Sequence, residues 1–144
     1  DAIVRDDARV FVNAQIYDNA VVVGNAKVCD NAQIYDDAIV HDDTIVCGDA
    51  EVCGDAEVSG DARICGDARI CGDAMISSDK DYIVFKNWWS SGRYFTWTRS
   101  NNMWKVGCFY GTGEKLIAKA YKDSEESGRE YECIVKYVER ILNS

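Results

Sequence analysis

The sequence predicts a mainly β protein: a coiling repeat of short strands over residues 1–79, then a small α+β domain over residues 80–144. Three observations predict it. From Val4 to Ile76 an aliphatic residue stands at every sixth position, through Val10, Ile16, Val22, Val28, Ile34, Val40, Val46, Val52, Val58, Ile64 and Ile70. Four residues after each, from Ala8 to Ala74, comes an alanine, with Thr44 as the one substitute. At Asp81 the period stops and the composition changes. A strict short period over half a chain is the signature of a stacked architecture.

Each hexad runs aliphatic, variable, turn, turn, small, variable, as in Val52-Cys53-Gly54-Asp55-Ala56-Glu57. Strand alternation points Ala56 and Val58 to one side and Glu57 and Ser59 to the other. The pairs between strands, such as Gly48-Asp49, Gly66-Asp67 and Asp36-Asp37, tolerate positive φ or bond their own backbone. Every inward residue carries the same hexad phase, so a hairpin sheet is excluded and the chain must keep turning one way. Each buried Val or Ile is worth roughly 1.5–3 kcal/mol, and stacked coils share one continuous core.

This pattern resembles the hexapeptide-repeat family over about residues 2 to 79. The resemblance implies a left-handed parallel β-helix of about four triangular coils, three hexads and eighteen residues to a coil. Such a hand departs from the usual right-handed crossover. A chain that begins at Asp1, inside a hexad and without methionine, is expected to be trimmed or to lack upstream coils.

Charge divides between the halves. Residues 1–79 hold 5 Lys/Arg against 17 Asp/Glu, and residues 80–144 hold 11 against 8, which together give the net −9. The acidic half disfavours DNA and anionic membrane as partners. No apolar run approaches a membrane span and no signal-like segment precedes the repeats, so no membrane partner is expected. Seven cysteines without a CxxC pair point to a reduced cytoplasm, the host's if the chain is phage-encoded. At eighteen residues per coil, Cys29, Cys47 and Cys65 stack in one outward column and Cys53 and Cys71 in another. Column neighbours ~4.8 Å apart with nearly parallel Cβ directions make poor disulfide geometry. The two columns lie on different faces and do not converge on a zinc ion, so neither metal nor cofactor is expected.

The same arithmetic gathers Ile3, Val21, Val23 and Ile39 on one face beside His41. An apolar patch of that kind marks an interface, and the resemblance implies a homo-oligomer, a trimer around the helix axis. Corner aspartates also stack: Asp43, Asp61 and Asp79; Asp49 and Asp67; Asp37, Asp55 and Asp73. Their repulsion is only ~1 kcal/mol per neighbour in water, and turn-making is their expected role.

In the second half, Tyr82-Ile83-Val84-Phe85 reads as a strand capping the last coil. Arg93–Arg99 and Met103–Phe109 read as a hairpin around Ser100-Asn101-Asn102. Thr112 caps a helix to about Asp123, and Ser127 with Glu130 forms a capping box for a second helix to about Leu142. The order is β-β-β-α-α. Four tryptophans lie between Trp88 and Trp104, among Arg93, Arg99 and Lys105, while Lys115, Lys119 and Lys122 form a helical stripe. Aromatics interleaved with cations suit base stacking and phosphate contact. Trp88, Trp89, Arg93, Trp97, Arg99, Lys105, Lys115, Lys119 and Lys122 are thus the candidate partner-binding residues, if helix and hairpin share an edge. Against this, so small a domain needs large aromatics for its own core. Lys86-Asn87-Trp88-Trp89-Ser90-Ser91-Gly92-Arg93-Tyr94, with Gly107-Cys108-Phe109-Tyr110-Gly111-Thr112-Gly113, resembles an uncharacterised module found beside hexapeptide repeats in gut-bacterial and prophage proteins.

Three functions compete. The hexapeptide resemblance implies acyl transfer with an interface histidine, and His41 is the only histidine. A general base also needs an orienting neighbour and a substrate pocket, and the repeats carry no insertion to build one. A purely structural trimerising stalk is another reading. The expectation favoured here is a non-catalytic binding scaffold, phage- or mobile-element-related through its second module. It would bind a protein or nucleotide and block a host defence factor by acidic nucleic-acid mimicry or nucleotide sequestration.

Overall fold

The computed structural model describes residues 2–143. Thirteen two-residue strands, one per hexad, form three parallel sheets among the described residues. The first stacks β1 (Ile3–Val4), β4 (Val21–Val22), β7 (Ile39–Val40), β10 (Glu57–Val58) and β13 (Met75–Ile76). The second stacks β2 (Arg9–Val10), β5 (Lys27–Val28), β8 (Ile45–Val46) and β11 (Arg63–Ile64). The third stacks β3 (Gln15–Ile16), β6 (Gln33–Ile34), β9 (Glu51–Val52) and β12 (Arg69–Ile70). Register is strict, Val22 lying beside Val40 and Val46 beside Ile64. This is a parallel β-solenoid of about four turns.

Hexad phase decides what is buried. From Ala20 to Ile76 the alanines and aliphatics lie in one column-like core and are at most 1% exposed. Thr44 takes an alanine position in that core, and its Oγ1 is buried without a hydrogen-bond partner. At the corners the first residue adopts positive φ, as at Asp30 (61°), Asp36 (58°) and Asp42 (64°). Aspartate tolerates that region. Val12 sits there too, at 62°, where a β-branched side chain is a genuine outlier.

After the last coil, a 3-10 turn at Asp79–Asp81 leads into an antiparallel sheet. Its order is β14 (Tyr82–Lys86), β15 (Tyr94–Thr98), β16 (Met103–Val106) and β17 (Phe109–Gly111). Helices α1 (Gly113–Asp123) and α2 (Glu125–Leu142) follow. The sheet has four strands rather than the three read from sequence. Gly107 is the reason: at φ 54° it lets the chain reverse where one strand to Phe109 was expected. Thr112 caps α1 as expected, accepting a hydrogen bond from the Lys115 amide. Helix α2 starts earlier than Ser127, because Ser124 accepts from the Ser127 amide and caps it one residue after α1 ends.

Alternation splits the sheet between two cores. Tyr82 and Val84 pack on the solenoid core, whereas Ile83 and Phe85 join Phe95, Trp97, Trp104, Leu116, Tyr131 and Val138 beneath the helices. The sheet therefore lies between the last coil and the helix pair. It also satisfies amides that the last coil would leave bare. Thr96 Oγ1 accepts from the Arg69 amide at 2.9 Å, and Ser100 Oγ from the Met75 amide at 2.8 Å. Asp79 and Asp81 carboxylates take the Arg63 and Ser77 amides. No helix among the described residues is long and apolar enough to cross a membrane.

Candidate functional site

His41 follows β7 on the first face and is half-buried. Its Nε2 lies 2.8 Å from Glu57 Oε2 and its Nδ1 lies 3.1 Å from Asp42 Oδ1. Partial burial pulls the imidazole pKa down, but the hydrogen bonds to Glu57 and Asp42, with their charges, outweigh that and raise it. Asp42 is lowered, by the Gly60 amide bonded to its carboxylate first and by His41 second. Two flanking carboxylates favour the imidazolium over the neutral ring, and the imidazolium has no lone pair to accept a proton.

Beside it, Ile3 and Ile39 are exposed while Val21 and Val23 are half-buried. Ile3, Val21 and Ile39 line up on β1, β4 and β7, with Val23 one residue past β4, and beyond Glu57 Met75 continues the line, itself 59% exposed. The third face carries Tyr17 stacked on Tyr35, ring centroids 5.0 Å apart. Each tyrosine donates to the carbonyl or carboxylate oxygen one coil on, Gln33 and Glu51 respectively.

Corner carboxylates sort into two kinds. Asp30, Asp36 and Asp42 each accept from the corner glycine amide of the next coil at 2.9–3.0 Å. These do the structural work of the turn. The second corner position carries the outward columns, where asparagine amides reach Asp43 and Asp49 from the coil before. An open groove of about 640 Å³ runs along one corner between Asp18, Asp36, Asp37 and Asp55. Among the described residues no cluster of three metal-ligating side chains occurs.

The thiol columns fall where the period puts them, but their side chains differ from expectation. The Cys47 and Cys65 sulfurs are 2.6 Å apart and the Cys53 and Cys71 sulfurs 2.8 Å apart. Parallel Cβ directions do not keep the sulfurs of each pair apart.

The partner-binding candidates of the second half do not share one surface. Trp97 is fully buried and donates Nε1 to Asn102, so it is a core side chain and not a stacking platform. Trp89 is half-buried, edge-on to Tyr131, and donates to Ser127 Oγ. Trp88 is 69% exposed. Lys105 lies on the solenoid side of the sheet near Cys71, paired across strands with Thr96. Arg99 sits at the hairpin tip, its amide bonded to Asp81. Lys115 and Lys122 are exposed on α1. Strand alternation separates what sequence proximity suggested was together. Trp88 and Trp89 meet edge-on, ring centroids 5.9 Å apart, and of the cations only Arg93 and Lys119 line one cleft, of about 630 Å³, with Asn87, Ser91, Ser124 and Tyr131 on its walls. Lys119 also pairs with Asp123 at 3.6 Å. Asn87 is the residue the sequence reading missed: it is 7% exposed, donates to Tyr131 and accepts from the Ser90 amide. Its place in a polar loop between two strands hid its burial.

Residues 14–31 and 32–48 match a family model described as YdcK Beta solenoid repeat. No curated protein and no solved structure matches the chain. The chain is therefore similar to that repeat over two consecutive coils, and it carries a repeat β-solenoid segment.

Proposed function

We propose that this chain is a non-catalytic binding scaffold whose acidic solenoid engages a cationic partner protein. The observation that carries the reading is the solenoid surface itself: three unbroken strand faces whose corners display carboxylates at every coil. Aspartates spaced ~4.8 Å apart offer a regular negative ladder to the lysines and arginines of a nucleic-acid-binding surface. A host defence factor of that chemistry, blocked by charge mimicry, is the partner class this favours. The state of His41 argues against acyl transfer as the alternative, since both ring nitrogens are engaged by carboxylates. Arg93 and Lys119 at the second cleft favour an additional phosphate-bearing ligand such as a nucleotide.

The test is competition. The protein should displace DNA from a basic DNA-binding protein, with an affinity that falls steeply as salt screens the charges. Asp37→Asn with Asp55→Asn should weaken that displacement about tenfold, at ~1 kcal/mol or less per exposed contact. Salt-independent binding, or coenzyme A-dependent turnover abolished by His41→Ala, would overturn the reading.

A further inference from the structure

We propose that Cys47–Cys65 and Cys53–Cys71 are two inter-coil disulfide sites, closed reversibly by a small-molecule disulfide such as oxidised glutathione. Register places each pair side by side. Val46 lies beside Ile64 and Val52 beside Ile70, so the cysteine after each stands level with its partner one coil away. Adjacent strands lie ~4.8 Å apart, inside the Cα window for a disulfide. The sulfurs themselves, at 2.6 and 2.8 Å, are much closer than packed thiols need to be. A bond of about 2.05 Å asks for less than about 1 Å of further approach. Two pairs on two different faces share this geometry, at the same coil junction. Cys108 and Cys133 are exposed and lie outside both columns.

The thiols are reachable. Cys47, Cys65 and Cys71 are half-buried, and only Cys53 is buried. The Cys53 thiol lies below its usual range, through its hydrogen bond with Cys71 first and with the Tyr35 hydroxyl after, despite burial, whereas the bond to Cys53 raises Cys71 and burial pushes Cys47 up to about 12. A thiolate is the form that attacks a disulfide. A protein thiolate attacks one sulfur of oxidised glutathione, forming a mixed disulfide and releasing one glutathione thiolate. The neighbouring protein thiol then loses its proton, attacks the protein sulfur of the mixed disulfide and expels the second glutathione. Two electrons pass from the protein pair to the oxidant, and both protons end on glutathione.

The location gives the modification a consequence. The two links tie the last coil to its neighbour on two faces, and that coil seats the C-terminal sheet through Arg69 and Met75. Each closes a loop one coil long, which restricts the unfolded chain and raises stability. Oxidation thus locks the end of the solenoid that holds the sheet and helices.

The experiment incubates the full chain with oxidised glutathione, blocks remaining thiols by alkylation, and maps peptides by mass spectrometry without reduction. Linked peptides joining Cys47 to Cys65 and Cys53 to Cys71 are expected, with alkylation confined to Cys29, Cys108 and Cys133. The thermal midpoint should rise by at least about 5 °C and return on treatment with dithiothreitol. Cys47→Ser and Cys71→Ser, singly, should each remove one link and part of the rise. Alkylation of every cysteine, glutathione adducts without cross-links, or a link from Cys29 to Cys47 would overturn the assignment.

Discussion

His41 shows how little a single residue type says until its neighbours are known. A lone histidine in a repeat that resembles the hexapeptide family suggests a base, yet Glu57 arrives from the next coil and Asp42 from the adjoining corner, one on each ring nitrogen. The raised imidazole pKa has a stability consequence with a definite sign. A group whose folded pKa lies above its unfolded value of about 6.5 stabilises fully below that value, and the contribution disappears as pH rises through the folded value. The melting temperature of the wild type should therefore exceed that of His41→Gln most at about pH 6, and the gap should close by about pH 9. A gap that widens with pH would mean that the imidazole is neutral in the folded protein. Thr44 and Val12 are residue-scale exceptions of another kind. Each breaks the repeat in a way visible in the sequence, but only the structure shows the unpartnered hydroxyl and the positive φ that result.

At the scale of elements, the strands of the solenoid were legible from a period of six with one inward phase, and their register followed from the eighteen-residue coil that the family resemblance implied. The second half was read less well. Its hairpin and its first helix cap follow from local signals, whereas the extra reversal at Gly107 and the early start of α2 depend on single residues that several local patterns fit. The cation-aromatic cluster failed as one surface for a physical reason: neighbours along a strand point to opposite faces, and one face went to the core. Of the seam between the halves only the first strand was legible, read as a cap on the last coil, where Tyr82 and Val84 do pack on the solenoid core; its side-chain contacts were not. There Gly72, at φ 67°, lies under Tyr110, and a Cβ would collide with the tyrosine hydroxyl. That hydroxyl accepts from Asn101 Nδ2 at 3.1 Å, and Asn101 also bonds Asp73. Gly66 provides the control, with a similar φ of 68° and open space where its Cβ would stand. Gly66→Ala should cost about 1–2 kcal/mol for its left-handed conformation alone. Gly72→Ala should cost about 1–3 kcal/mol more, from the overpacked seam, as urea denaturation followed by tryptophan fluorescence will measure. Equal losses would show that the Tyr110 contact contributes nothing to holding the sheet on the coil.

For the whole molecule, the solenoid acts as a ruler that repeats whatever each face carries, so a small bias in sequence becomes a strip on the surface. Charge accumulates at the corners and apolar side chains accumulate on the first face, where Ile3, Val21 and Ile39 follow one another from coil to coil with Val23 one residue past the middle strand. The two strips suit different contacts. The carboxylate columns suit a charged partner, whereas the apolar strip suits a second copy, which removes it from water beside the already paired His41 and Glu57. Were three copies to pack by this face around a common axis, as the family resemblance implies, the acidic corners would stay outward for the cationic partner proposed above. Light scattering of the wild type at micromolar concentration should therefore report three times the 16.1 kDa chain mass. Val23→Glu with Ile39→Glu places carboxylates where they must lose water on assembly, a cost of several kcal/mol per ion. Because Ile39 is exposed and Val23 half-buried, outside the solenoid core, the variant should keep its β-sheet circular dichroism while running as a monomer. A wild-type monomer, or a variant that remains trimeric, would assign the strip to something other than self-association.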